Sequence, residues 1–275
     1  MRFVNNRPGW MLLSGFFGLL LWPAVPALAQ SPGLRFTTQE FAPFNYEADG
    51  KVVGPATEIV AAACGRAGIT CSFVQLPWAR AQAEVRDGRA NGMFVIGWNK
   101  ERTEWLHFAP PIMKTEYGFF VQTRDRTEYR DLTDVQGWSI ATYGPSNTSN
   151  TLDGLHERMQ ARQLRPFTID MRPGDEDGFR KLALARVNAV FSNRDVGFAV
   201  VKRLGLGAEI RYAGKTSELN YYIGFSKKYN DQAILARFDA ALTALEASGK
   251  IREILAPHDM QPADPRLDAA RLKQD

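Results

Sequence analysis

The tightest constraint on this chain is a rhythm that runs, stops and begins again. Short apolar segments of strand character alternate with amphipathic helical ones through the first third, and the same alternation restarts near Trp138. In the first run, Leu34 to Thr38 reads as a strand, followed by a turn-rich loop from Ala42 to Tyr46 and an Asp49-Gly50 turn. Pro55 then suits a first helical turn, apolar residues recur at Ala56, Ile59, Val60, Ala63 and Ala67, and Gly68 is placed to end the helix. Cys71 to Val74 is a strand and Ala79 to Val85 a short helix; Gly92 to Gly97 is a continuous apolar run of the length of a buried parallel strand. The second run offers strands at Trp138 to Thr142, Phe167 to Ile169 and Asn188 to Phe191, with helices over Thr151 to Arg162 and Phe179 to Ala185. Such alternation predicts α/β layers, here built twice.

What lies between the two runs decides how they are joined. Tyr117 to Gln122 is a β-rich crossing, and a comparable segment, Asn220 to Phe225, follows the second run. Two crossings predict that the chain returns to its first lobe, where a last helix with Ile234, Leu235, Phe238, Leu242 and Leu245 packs back. The expected organisation is a discontinuous lobe over residues 33–120 and 226–260, a second lobe over 121–225, a polar tail over 261–275, and a cleft between the lobes.

The N-terminus carries a different signal. Arg2 and Arg7 precede an apolar run from Trp10 to Trp22, and small residues follow at Ala27-Leu28-Ala29. This is the order of a secretory signal peptide over residues 1–29 with cleavage after Ala29; the run falls short of the roughly 20 apolar residues that span a bilayer. No cysteine near that site offers a lipid acceptor, and a soluble mature chain in the periplasm is expected. The only cysteines are Cys64 and Cys71; an even, closely spaced pair in an exported chain reads as a disulfide, against the alternative of two separate buried thiols. The formal net charge of +4 includes two arginines of the leader, and the other basic residues are interspersed with acids, which argues against a nucleic-acid partner. His107, His156 and His258 lie far apart without metal-ligand spacing, so neither a metal nor another cofactor is expected. Asn147-Thr148-Ser149 fits a glycosylation sequon, a short pattern to which no function is assigned.

An ordered set of motifs resembles a known family. Thr37 to Tyr46, Asp49-Gly50-Lys51 leading to Gly54-Pro55-Ala56-Thr57-Glu58, Pro77-Trp78-Ala79-Arg80-Ala81 and, most specifically, Lys100 to Pro111 are similar to the polar-amino-acid type of periplasmic solute-binding protein, family 3 of the bacterial extracellular receptors. The Pro-Trp-Ala-Arg form resembles a proteobacterial branch, and the Cys64/Cys71 spacing matches a disulfide of some members. The resemblance implies a two-lobed periplasmic binding protein fold of type II, each lobe a mixed sheet flanked by helices and the two joined by hinge strands. It implies capture of an amino acid or related carboxylate by a monomer that delivers it to the membrane permease of an ABC importer, with no catalysis.

The same resemblance suggests the site. Arg102 occupies the position that grips a ligand carboxylate, and a guanidinium fork pairs both carboxylate oxygens as a lysine cannot; the alternative is a surface arginine paired with Glu101 or Glu104. Phe41 and Trp78 stand where aromatic rings sandwich the ligand, with Phe44 and Trp98 as weaker candidates because core packing claims most rings. Val95 and Gly97 offer backbone groups. Ser146 and Asn147 follow a strand and precede a helix, where a carboxylate can be received, although such junctions need capping regardless. Asn193 departs from the family pattern, which often places an aspartate there against the ligand ammonium; either Asp195 or Glu40 takes over, or the ligand is not a standard α-amino acid. Two rival readings use the same fold: a cyclohexadienyl or arogenate dehydratase-like enzyme, with Glu40, Glu218 and Asp195 as acids or bases by position, and a sensing partner of a membrane signalling protein.

Overall fold

The computed structural model describes residues 1–4 and 33–271. Apart from residues 1–4, the expected leader lies outside the described residues. The chain separates into two units, Met1–Ser31 and Pro32–Asp275, and every element below belongs to the second.

In chain order the elements are β1 (Leu34–Thr38), the hairpin β2 (Tyr46–Ala48) and β3 (Lys51–Val53), α1 (Pro55–Ala67), β4 (Cys71–Gln75), α2 (Trp78–Arg86), β5 (Gly92–Gly97), α3 (Lys100–Trp105), β6 (Leu106–Phe108) and β7 (Met113–Gln122). There follow β8 (Ser139–Tyr143), α4 (Asn147–Ala161), β9 (Thr168–Arg172), α5 (Asp175–Ala183), β10 (Ala189–Asn193), α6 (Arg194–Arg203), β11 (Ile210–Ser226), α7 (Gln232–Ala247), α8 (Lys250–Leu255) and α9 (Pro265–Arg271). Nine strands form one sheet: eight follow the hydrogen-bonded path β4-β1-β5-β11-β7-β10-β8-β9, and β6 pairs with β11 off this path. The first run of alternation thus supplies one end of the path and the second run the other. The crossings β7 and β11 lie side by side between them, antiparallel from Ile210↔Gln122 to Tyr221↔Met113.

Aromatic packing lines both ends of the path. Phe36 of β1 packs its ring against Phe73, Phe94, Phe225 and Phe238 with centroids 5.4–6.4 Å apart, which fastens α7 to the first sheet region as the pattern of that helix predicts. On the other side Phe119 meets Phe191 at 5.1 Å, and Phe120 meets Phe179 at 5.3 Å. Gly197 lets α6 lie against β7: a Cβ there would stand 2.2 Å from Phe120 Cζ.

Three features differ from the sequence reading. Lys100–Trp105, read only as a family motif, forms α3, N-capped by Asn99, whose side chain accepts from Arg102 N at 2.8 Å. The second-run strands and helices shift by a few residues, and α4, capped by Ser146, begins four residues before the expected Thr151. The segment read as a polar tail carries α9, fastened to β11: Asn220 Nδ2 donates to Asp264 O at 2.9 Å, Asp264 N donates back to Asn220 Oδ1 at 3.0 Å, and Tyr222 OH donates to Asp268. Its polar face is a docking face, which hydropathy cannot distinguish from a solvated one.

Cys64, near the end of α1, and Cys71, the first residue of β4, form a disulfide around the left-handed C-cap Gly68. Closing so short a loop restricts the unfolded chain by about 2–3 kcal/mol. The Cys64→Ser/Cys71→Ser double variant is therefore expected to melt about 5–10 °C below the oxidised parent in a calorimetric scan; an unchanged melting temperature would remove the bridge from the stability account.

Candidate functional site

Two adjoining chambers open where the strand groups meet. The inner one, about 30 Å³, has room for one or two waters and is lined by Gln39, Phe41, Trp78, residues 95–97, Arg102, Tyr117, Tyr143, residues 146–148 and Tyr221. The outer one, about 670 Å³, shares Gln39, Trp78 and Tyr143 with it and adds Glu40, Gln75 and residues 173–177, with Arg180 and Arg203. The crossings contribute Tyr117 and Tyr221, so the inner chamber is built from both strand groups and the hinge strands together.

Arg102 is the inner chamber's only ionised residue type. It is 6% exposed, and neither Glu101 nor Glu104 makes an ion pair with it. Its Nη1 donates to Gly97 O at 2.7 Å, and its guanidinium carbon stands 5.1 Å from the centre of the Trp78 ring. Burial lowers its pKa, with the charges of Tyr117 and Glu101 opposing, yet arginine stays protonated in this range. A desolvated cation with one carbonyl and one ring as neighbours is short of an anionic partner.

The backbone beneath Arg102 is shaped for this. β5 pairs antiparallel with β11, and the register skips Val95 between Ile96↔Tyr222 and Phe94↔Ile223. Val95 is the extra residue of a bulge, with φ +57°, a left-handed conformation that a β-branched residue adopts only under strain. Such residues gather at functional sites, and this one lines the chamber two positions before Gly97.

The predicted aromatic residues divide. Trp78 lines both chambers, and Phe41 lines the inner one while its ring lies 5.8 Å from that of Tyr221. Phe44 is fully buried behind Phe41 and Tyr221 and belongs to the core. Trp98 does not line either chamber, although its carbonyl accepts from Asn147 at 3.5 Å.

Two expected ligand groups have their side chains engaged as helix caps. Ser146 lines the inner chamber, but its hydroxyl caps α4, accepting from Thr148 N and Ser149 N at 3.1 and 3.2 Å and donating to Tyr143 O at 2.9 Å. The helix start thereby satisfies its own donors. Asn193 does not line either chamber. It is 2% exposed and caps α6 through Oδ1, which accepts from Asp195 N and Val196 N, while Nδ2 donates to Thr115 Oγ1 at 2.9 Å and Tyr221 OH at 3.0 Å. A buried aspartate at Asn193 could cap the helix but could not donate to those two oxygens. Asp195 accepts from Thr115 Oγ1 at 2.7 Å in a separate small pocket beside Glu116 and Glu218, and so is not the chamber's missing carboxylate. Glu40 is in the outer chamber, where Gln75 Nε2 donates to it at 2.8 Å.

Sequence reasoning missed the contacts across the cleft. Asn99 Nδ2 donates to Asn147 Oδ1 at 3.0 Å, and Tyr143 OH donates to Gln39 Oε1 at 3.3 Å. It also missed the phenols: burial raises Tyr117 and Tyr221 above the usual tyrosine range, and hydrogen bonds with Thr148, with each other and with Asn193 occupy them. Nothing in a β-rich crossing distinguishes these rings from core tyrosines. Among the described residues no group of three or more His, Cys, Asp and Glu is arranged to hold a metal, and no helix is long and apolar enough to cross a membrane. His107 pairs Asp239 at 2.9 Å, and neither residue lines a chamber.

The fold is that of two-lobed periplasmic binding proteins. It resembles the crystal structure of a histidine kinase sensor domain with similarity to periplasmic binding proteins at a TM-score of 0.73, 18% identical and covering 85% of this chain and 99% of that one. It also resembles the arginine-, lysine-, histidine-binding protein ArtJ from Geobacillus stearothermophilus at 0.69, 20% identical over 86% of this chain and 99% of the other. In sequence it is 21% identical to the probable amino-acid-binding protein YxeM of Bacillus subtilis (strain 168), over 79% of this chain and 80% of that protein. Residues 34–258 match the bacterial extracellular solute-binding proteins, family 3, and the chain belongs to that family.

Two measurements follow from the geometry. A Cβ on Gly97 would stand 2.3 Å from Asn147 Nδ2 and displace it; Gly97→Ala is expected to weaken ligand affinity about tenfold, or about 1.4 kcal/mol, by titration calorimetry, with the melting temperature of the free protein little changed. Burial pushes Asp175 in the outer chamber up to about 6 against the opposing charge of Arg203, so its ionisation opposes folding as pH rises from about 4 to about 6. Asp175→Asn is expected to raise the urea midpoint at pH 8 and leave it unchanged at pH 4; an equal effect at both would contradict the assignment.

Proposed function

We propose that this protein captures a small carboxylate, an amino acid or a relative of one, in the cleft between its two strand groups and presents it to the membrane permease of an ABC importer. The observation that carries this reading is the buried Arg102 guanidinium, without an acidic partner, facing a chamber whose other lining residues carry no acidic or basic side chain. A planar cation held by Gly97 O and Trp78 is organised in advance for a bidentate carboxylate.

In this reading the lobes are residues 33–120 with 226–260, and 121–225, and they move as bodies about β7 and β11. Ligand meets Arg102, Trp78 and Phe41 first. Closure then brings Asn147 to Asn99 and Tyr143 to Gln39, the contacts that tie the two sides. A ligand that bridges both sides binds the closed form better and shifts the population toward it. The protein acts as an exported monomer after cleavage behind Ala29. No catalytic step is assigned: the inner chamber offers no carboxylate or imidazole as a general base, and its two buried phenols are held protonated.

The test is a thermal-shift screen of amino acids, polyamines and organic acids, followed by titration of the best compound into Arg102→Met. Affinity is expected to fall at least 100-fold, about 2.7 kcal/mol, while the melting temperature of the free variant does not fall, because an unpaired buried charge is removed. Unchanged affinity would remove the carboxylate clamp.

A further inference from the structure

The two chambers differ in sign. The inner one holds a single cation, Arg102, and no carboxylate. An α-ammonium bound next to a carboxylate on Arg102 would stand beside that cation without a countercharge, because Asn193 is neutral and turned into its cap, and Asp195 lies in another pocket. A desolvated ammonium in that position is strongly disfavoured.

The outer chamber has the opposite balance. Four carboxylates, Glu40, Asp175, Glu176 and Asp177, line it against two guanidinium groups, Arg180 and Arg203. Glu176 receives both arginines, at 2.7 Å from Arg180 and 2.9 Å from Arg203. Glu40, Asp175 and Asp177 make no comparable ion pair, which leaves the chamber an excess of negative charge. A second and independent feature is Gln75: its amide nitrogen donates to Glu40, and its Oε1 is buried without a hydrogen-bond partner, an acceptor awaiting an N–H donor. Burial of Asp175, raising its pKa to about 6, shows a carboxylate that a cation would stabilise in its ionised form. The chambers meet over Gln39, Trp78 and Tyr143, and the Asp175 charge also acts on the Tyr143 hydroxyl, so the acidic lining reaches the shared wall.

We infer that the ligand is an elongated zwitterion, with its carboxylate on Arg102, an aliphatic chain over Trp78, and an ammonium or guanidinium at its far end among Glu40, Asp175 and Gln75, and that no α-amino group is recognised. ω-Amino and ω-guanidino acids share this chemistry. The inference rests on the carboxylate-binding reading above and adds to it the second pole of the ligand.

Titration calorimetry with four six-carbon acids separates the groups: hexanoate carries the carboxylate alone, norleucine adds the α-ammonium, 6-aminohexanoate adds the distal ammonium, and lysine has both. 4-Guanidinobutanoate distinguishes the two distal cations. At pH 7.5 at least one of the two ω-cationic acids is expected to bind at least tenfold more tightly than hexanoate and norleucine, with lysine no tighter than 6-aminohexanoate. Glu40→Gln/Asp175→Asn is expected to erase that preference while leaving hexanoate unaffected. Norleucine or lysine binding most tightly would overturn the inference and leave the receptor reading in place, as would equal binding of hexanoate and the ω-cationic acids. Binding of none of the five overturns it as well, and the wider carboxylate screen then decides whether the receptor reading also falls.

Discussion

The Arg102 guanidinium is buried without a carboxylate, held by one backbone carbonyl and one indole face. The surrounding structure serves to keep it there. α3 begins at the Asn99 cap so that Arg102 lies in its first turn, within reach of the end of β5. Gly97 supplies the carbonyl and, lacking a side chain, leaves space for Asn147 from the facing strand group. Val95 takes up the backbone strain of the bulge just before it. A buried charge in this state lowers stability, a cost that the packing of the whole fold must offset.

The hinge strands connect this chemistry to motion. β7 and β11 contribute Tyr117 and Tyr221 to the chamber and also form the only strand pairing between the two ends of the sheet path among the described residues. A change in the angle between the strand groups must therefore act on the chamber itself. The α9 segment adds a restraint at one side of the same strands, through Asn220, Tyr222 and the Lys114 N to Gln261 O bond at 3.1 Å.

Much of this was legible in the sequence because it depends on periodicity. The doubled strand-helix rhythm, the two crossings, the return of α7 to the first sheet region and the paired cysteines all rest on local patterns that tertiary packing did not overrule. Arg102, Trp78, Phe41, Val95 and Gly97 could be placed from a motif resemblance, and all five line the inner chamber. Legibility ended where a polar side chain had two possible uses. Ser146 read equally as a ligand contact or as a helix cap, and Asn193 only as a neutral replacement for the family's aspartate; both side chains cap helices, because the first turn of a helix carries unpaired N–H groups whatever the ligand. Phe41 and Phe44 are three residues apart with the same chemistry, and only the fold separates the chamber wall from the core. The outer chamber was invisible apart from Glu40 and Trp78, since it brings β4 and the start of α5 together across the cleft.

The most direct test of the central role of Arg102 is the crystal structure of the protein with a saturating carboxylate ligand from the screen. The account predicts both carboxylate oxygens within about 2.7–2.9 Å of the Arg102 guanidinium nitrogens, with the ligand chain against Trp78. A ligand held elsewhere, with Arg102 still bonded only to Gly97, would contradict it.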